Sequence, residues 1–261
     1  MTKRLIVFFF TLILPSLLWA QNATFAEYFK QGTQFYSAKE YEKARDAFAK
    51  AVETDPHNAT ALTNLALAQF QLGKKPLAIG LLRKALASDP ELTTARAGLK
   101  YAQSQMEIKD VPHQIETYES VRSKLLAPVP LLAYLILTAL LLFAAGWVLL
   151  SYLGRRRTAL HEEKSPPPTP VIGLLFSLGF IVSLTLLCLK IYDSSILRAT
   201  VIEEKVSLQT APGENQAAIL DLYGGMEVVV KTLDKDWAQV TYPGSLTGWI
   251  KSSSVIITSG Q

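Results

Sequence analysis

The sequence predicts a multidomain membrane protein: an all-α solenoid of helical repeats, a two-helix transmembrane hairpin and a small all-β barrel. Three observations carry this reading. Two apolar runs of membrane length, Leu131 to Tyr152 and Val171 to Tyr192, lie mid-chain with a short basic loop between them. Ahead of them, residues 25–110 repeat themselves at an interval of 34 residues. Behind them, from Ala199, the pattern changes to short strands separated by turn residues.

At the start of the chain, Met1-Thr2-Lys3-Arg4 is basic, and Leu5 to Leu18 is apolar apart from Thr11, Pro15 and Ser16. Ala20 suits cleavage before Gln21, so residues 1–20 read as a signal peptide. Leu18 is larger than the small residue expected there, which leaves an uncleaved signal anchor as the alternative; both place Gln21 onward outside the cytoplasm. A chain of 261 residues, 49% hydrophobic, holds two small domains and two spans but not a large enzyme core beside them. The net charge of +4 is mild, and no nucleic-acid partner is expected. Cys188 is the only cysteine, so the exported modules are stable without an intrachain disulfide.

In residues 25–110, Ala44 and Ala78, Phe48 and Leu82, Ala51 and Ala85, and Pro56 and Pro90 are pairs 34 residues apart. First-helix positions are Tyr28, Gly32 and Phe35 in one repeat and Leu62, Ala66 and Gln69 in the next, with Phe70 adjacent. Small residues let paired helices approach closely, and each proline ends its helix because it lacks an amide donor. This pattern resembles the tetratricopeptide repeat, or TPR. After Pro90, one more helix from Leu92 to Ile108 reads as a cap. The resemblance implies a concave face on the first helices that binds protein segments. Its groove positions fall on Phe29, Thr33, Tyr36, Thr63, Leu67 and Phe70, with Tyr101 on the cap. Helical spacing of aromatics also fits plain core packing, so groove and core both stand as readings of these residues. A carboxylate clamp of Lys and Asn is missing, which favours an apolar or extended segment as ligand.

Residues 111–127 form a linker, broken at Pro112-His113, and Gln114 to Leu126 is a candidate helix. The first span is placed at 128–152, opening on Pro128 and Pro130, and the second at 171–192. Arg155-Arg156-Arg157 and Lys164 put the intervening loop, 153–170, in the cytoplasm, with both flanking modules outside. Gly173 with Ser177, and Gly179 with Ser183, have the four-residue spacing that permits close helix contact, either within the hairpin or with a neighbouring protein. No charge lies at mid-span, which argues against an ion pathway.

Strands are expected at Thr200–Ile202, Val206–Leu208, Ile219–Leu222, Glu227–Lys231, Trp237–Tyr242 and Gly248–Ile250. The Gly248-Trp249-Ile250 element and the order of turns resemble the bacterial SH3-like domain, placed at 199–259. Trp237 and Trp249 read either as packing for a small core or, with Tyr223 and Tyr242, as an aromatic partner-binding surface.

A signal sequence, TPR repeats, two spans and a terminal SH3-like domain together resemble BatE proteins of the bacterial aerotolerance operon. That resemblance implies the inner membrane, both soluble modules in the periplasm, and a scaffold in a Bat/MoxR-type envelope stress or assembly complex. Its implied partners are von Willebrand A-domain membrane proteins, with the lipid bilayer as anchor; peptidoglycan bound by the SH3-like module is the alternative. No enzyme, cofactor or metal is expected. The three histidines, His57, His113 and His161, are scattered, and no phosphate loop or nucleophile–base motif is present.

Overall fold

The computed structural model describes residues 24–106, 117–242 and 246–259. The signal segment 1–20, His113 and the Pro243-Gly244 turn lie outside the described residues. The chain forms two compact units: one combines the N-terminal region with everything from Leu197 onward, and the other is Ile115–Ile196.

In the first unit, α1 (residues 24–37) pairs with α2 (Tyr41–Thr54), and α3 (Ala59–Gln71) pairs with α4 (Lys75–Ser88). A single helix, α5 (Thr93–Ser104), follows. Ala44, Ala51, Ala78 and Ala85 are fully buried, as is Phe48, with Leu82 nearly so. The small residues are there for approach: a Cβ on Gly32 would lie 2.6 Å from the Phe48 ring. Asn58 starts α3 by accepting a hydrogen bond from the Ala61 amide at 3.0 Å. The helix-pair turns use left-handed backbone, at Gly73 (φ +79°) in the second and Lys39 (φ +63°) in the first. A side chain at such a φ costs about 1–2 kcal/mol, part of which glycine gives back in unfolded-state entropy. Lys39→Gly is therefore expected to stabilise the unit by about 0.5–1 kcal/mol, read as a higher unfolding midpoint.

The C-terminal part is one antiparallel sheet of seven strands in the order β3-β2-β6-β5-β4-β1-β7. They are β1 (Arg198–Val201), β2 (Lys205–Gln209), β3 (Ala218–Tyr223), β4 (Glu227–Leu233), β5 (Trp237–Thr241), β6 (Thr247–Lys251) and β7 (Val255–Ser259). Its core includes Val201, Leu208, Leu222, Val228, Val240 and Ile250. The six expected strands are present, and β7 is an addition. The expected closed barrel is corrected to an open sheet that ends at β3 and β7. At one end of that sheet, β1 and β7 carry α4 on the face turned away from the sheet core. All four β1 residues are buried: Ala199 and Val201 face the sheet core, while Thr200 faces the helix.

The contact of α4 with the sheet is tight. Arg83 Nη1 donates to Thr200 Oγ1 at 2.9 Å and to the Gly225 carbonyl at 2.8 Å. A Cβ on Gly80 would lie 2.4 Å from Ile256 Cγ2, and one on Gly224 would lie 2.5 Å from Pro76 Cγ. Ile256 packs into the helical core, whereas Val255 and Ile257 pack into the sheet core.

In the second unit, α6 (Thr117–Val121) runs into a π-helical turn at Arg122–Leu126. Two long helices follow, α7 (Leu131–His161) and α8 (Val171–Ser195), both long and apolar enough to cross a membrane. The expected loop 153–170 is helical as far as His161, since Gly154 alone does not break a helix and the first prolines come at Pro166. The hairpin is close-packed: a Cβ on Gly173 would lie 2.9 Å from Val148 Cγ1, and one on Gly179 3.6 Å from Leu141. Thr138 Oγ1 and Ser183 Oγ share a buried hydrogen bond of 2.7 Å across it. Gly173, Gly179 and Ser183 thus pack within the hairpin, while the Ser177 hydroxyl turns back to the Gly173 carbonyl.

Candidate protein-interaction surface

The candidate surface is carried by α1, α3 and α5, the first helices of successive turns of the solenoid. Phe70 on α3 and Tyr101 on α5 meet with ring centroids 5.5 Å apart. Leu67, one turn before Phe70, is half-buried beside Gly98 of α5. Tyr101 leaves 58% of its surface in solvent, the most exposed aromatic among the described residues of α1–α5. Gly98 serves this surface, since a Cβ there would already lie 3.2 Å from Leu82. These three residues form an apolar patch with an aromatic edge.

The other four candidate positions sit differently. Phe29 stacks on Phe25 (5.8 Å) and tilts against Phe48 of α2 (5.6 Å), so its ring serves the contact between α1 and α2. Tyr36 meets Tyr41 edge-on at 5.4 Å, at the turn into α2. Thr33 is exposed on α1 and donates its hydroxyl back to the Phe29 carbonyl. Thr63 is only 3% exposed and donates to the Ala59 carbonyl at 2.7 Å, which makes it part of the wall. The structure therefore joins Leu67, Phe70 and Tyr101 and leaves Phe29 and Tyr36 as half-buried flanking rings.

In the sheet, strand alternation decides which rings face outward. Ala238 and Val240 on β5, and Ile250 on β6, point into the core. Trp237, Gln239, Trp249 and Lys251 occupy the opposite face, with Trp237 registered against Lys251 and Gln239 against Trp249. Both tryptophans are half-buried there. Trp237 borders a cleft of about 340 Å³ lined also by Glu214, Lys235, Asp236, Lys251 and Ser253. Lys251 pairs with Glu214 at 2.8 Å, and this hydrogen bond raises the ammonium pKa. Tyr242 packs against the sheet core, and Tyr223 pairs with Lys205 at the far end of β2 from Gln209, the partner of Trp249. Four residues of strand put Tyr223 about 13 Å from that point. Tyr223 shares the outward face with Trp237 and Trp249 but stands apart from them, and Tyr242 alone turns to the core.

Lys205 bonds Asp221 at 2.7 Å. That bond, helped by the Ser207 hydroxyl, holds the carboxyl below its ordinary value, and the lysine is raised in turn. The sign follows: the pair's contribution is present above the ordinary carboxylate pKa of about 4 and fades as pH falls through the lowered value. At the alkaline end it is complete below about 10.4 and fades as pH rises through the raised lysine value. Asp221→Asn is expected to flatten the acid limb of a stability–pH curve, by a small, salt-sensitive amount because both groups are exposed.

Sequence reasoning missed Pro76, Ile79, Gly80 and Arg83, the α4 residues that face the sheet. Among the described residues, no group of three His, Cys, Asp or Glu is placed to hold a metal.

Comparison with known proteins agrees with the helical part. The family model of the tetratricopeptide repeat matches residues 29–92, about a quarter of the chain. No curated protein matches. Among solved structures, the TPR2B domain of yeast Sti1 in complex with pHsp70 is similar at 24% identity and a TM-score of 0.31. The match covers 31% of this chain and 66% of that one, just under two thirds. The family matched over residues 29–92 is a protein-interaction fold.

Proposed function

We propose that this protein is a membrane-anchored scaffold whose repeats capture a partner protein on the Leu67–Phe70–Tyr101 patch. The observation that carries the reading is the exposed Tyr101 ring set against Phe70 on the first-helix side of a tetratricopeptide stack. Exposed aromatics of this kind desolvate large area at low entropy cost when a partner covers them. The resemblance to BatE proteins supplies the partner class, a von Willebrand A-domain membrane protein of an envelope stress or assembly complex.

Anchoring in the bacterial inner membrane is supported by the outer faces of α7 and α8, where Phe143, Trp147, Leu150, Leu175 and Ile181 are exposed. Such an area suits lipid better than water. Periplasmic placement of both soluble parts is supported by the basic turn at Arg155–Arg157. The α4–sheet contact supports a shared side for the two soluble parts, and the basic turn supplies which side.

Phe70→Ala with Tyr101→Ala in the full-length protein is expected to weaken capture of the partner, after crosslinking in membranes, by at least about tenfold, as for loss of two anchor residues. Undiminished capture by a variant with wild-type unfolding behaviour overturns the reading. Reporter fusions at Ser104, His161 and Gly260 test the topology, and an exported His161 fusion reverses it. A second reading, peptidoglycan binding by the sheet, is favoured by the outward pair Trp237 and Trp249. It expects co-sedimentation with purified sacculi that Trp249→Ala abolishes.

A further inference from the structure

We propose that the second repeat and the C-terminal sheet fold as one domain, joined on the outer flank of α4 and split in sequence by the insertion of the hairpin. That flank is not the face on which repeats stack, since α5 already packs on α4 as α3 packs on α2. It is covered by β1, β7 and the β3–β4 turn.

The repeat itself provides the control. Residues 34 positions earlier occupy the same places on α2: Glu42 matches Pro76, Arg45 matches Ile79, Asp46 matches Gly80 and Ala49 matches Arg83. Glu42 and Asp46 are exposed, as befits a free second-helix face, whereas Pro76, Ile79 and Gly80 are buried. A charged face in repeat one has thus become an apolar, notched face in repeat two. A mid-helix glycine costs about 0.5–1 kcal/mol against alanine, so Gly80 works against α4 as an isolated helix. It fits because the Ile256 methyl needs its missing Cβ. Arg83 closes the joint by satisfying the Gly225 carbonyl and the Thr200 hydroxyl, and Thr200 is fully buried. On the sheet side, Ile256 belongs to the helical core and not to the sheet's own. Each part therefore contributes groups that only the other part buries.

One consequence is mechanical. The helices that carry the Phe70–Tyr101 patch, α3 and α5, and the strands β1 and β7 all pack on α4, so a partner on the patch bears on the sheet through that helix. The inference does not depend on what the patch binds.

The test uses the full-length protein in detergent micelles, followed by hydrogen exchange. Arg83→Gln and Gly80→Ala are each expected to raise exchange at least tenfold in α4–α5 and in β1 and β7 together, with α7 and α8 unchanged. Ile256→Ala removes the atom that a Cβ at position 80 would strike. The pair Gly80→Ala with Ile256→Ala is then expected to lose less protection than the two single losses combined. Loss of protection confined to α4–α5, or to the strands alone, overturns the proposal. So does strict additivity of the position 80 and 256 effects in variants that remain folded.

Discussion

Replacing Phe48 by alanine is expected to destabilise the helical repeats by about 3–5 kcal/mol, the range for emptying a buried phenylalanine site. Phe48 is fully buried, receives the backbone of Gly32 against its ring face and supports Phe29 at 5.6 Å. Its removal leaves a void that α1 cannot fill without sliding, because Gly32 and Phe29 of α1 both rest on Phe48. The measurement is the denaturant midpoint of the full-length protein, with hydrogen exchange to place the loss in α1 and α2. A shift below about 1 kcal/mol would mean that the helices close over the void, against the usual range for this substitution. Phe48→Leu separates volume from shape and is expected to cost about 1–2 kcal/mol.

That the repeats were legible at all follows from the locality of their code. Ala44, Phe48 and Ala51 recur as Ala78, Leu82 and Ala85 because each pair performs the same packing task 34 residues later. Hydropathy is a poorer ruler. It marks the apolar part of α7 but not its end at His161, since a helix continues through Arg155–Arg157 as readily as through leucine. Strand β7 escaped because Ser252–Ser254, a short 3₁₀ turn, has neither the glycine nor the proline that announces a new strand. For Trp237 and Trp249, size suggested core, yet simple alternation with Ala238, Val240 and Ile250 assigns them to the outer face.

The candidate patch was only partly readable for a related reason. Family spacing locates helix positions, but it does not say which ring a neighbour covers. Phe29 and Thr63 stand at groove positions and are drawn into packing by Phe48 and by the Ala59 carbonyl. The docking face of α4 was written plainly in the sequence, in the change from Glu42-Arg45-Asp46 to Pro76-Ile79-Gly80. It becomes visible when the two repeats are compared for their differences instead of their likeness.

The hairpin unit gives the second large effect, at the end of α8. Asp193 Oδ1 lies 3.3 Å from Arg122 Nε and accepts the Tyr118 hydroxyl at 2.9 Å, with only 12% of the aspartate side chain and 17% of the arginine exposed. Asp193→Ala takes the carboxylate from a mostly buried guanidinium and the acceptor from the Tyr118 hydroxyl, and about 3 kcal/mol is expected, the low end for breaking a buried pair. The loss should appear as fast hydrogen exchange across residues 117–126 in detergent micelles, because that segment is tied to α8 through these bonds. Removing the charge from both sides is a different experiment. Arg122→Met with Asp193→Leu removes both members of the pair, leaves Lys190 on the Leu126 carbonyl, and is expected to cost less than Asp193→Ala alone, by about 1 kcal/mol or more. The difference between the two variants separates the cost of removing the carboxylate beside Arg122 from the value of the pair. Equal losses would show that Asp193 holds the segment by shape and hydrogen-bond direction rather than by neutralising Arg122.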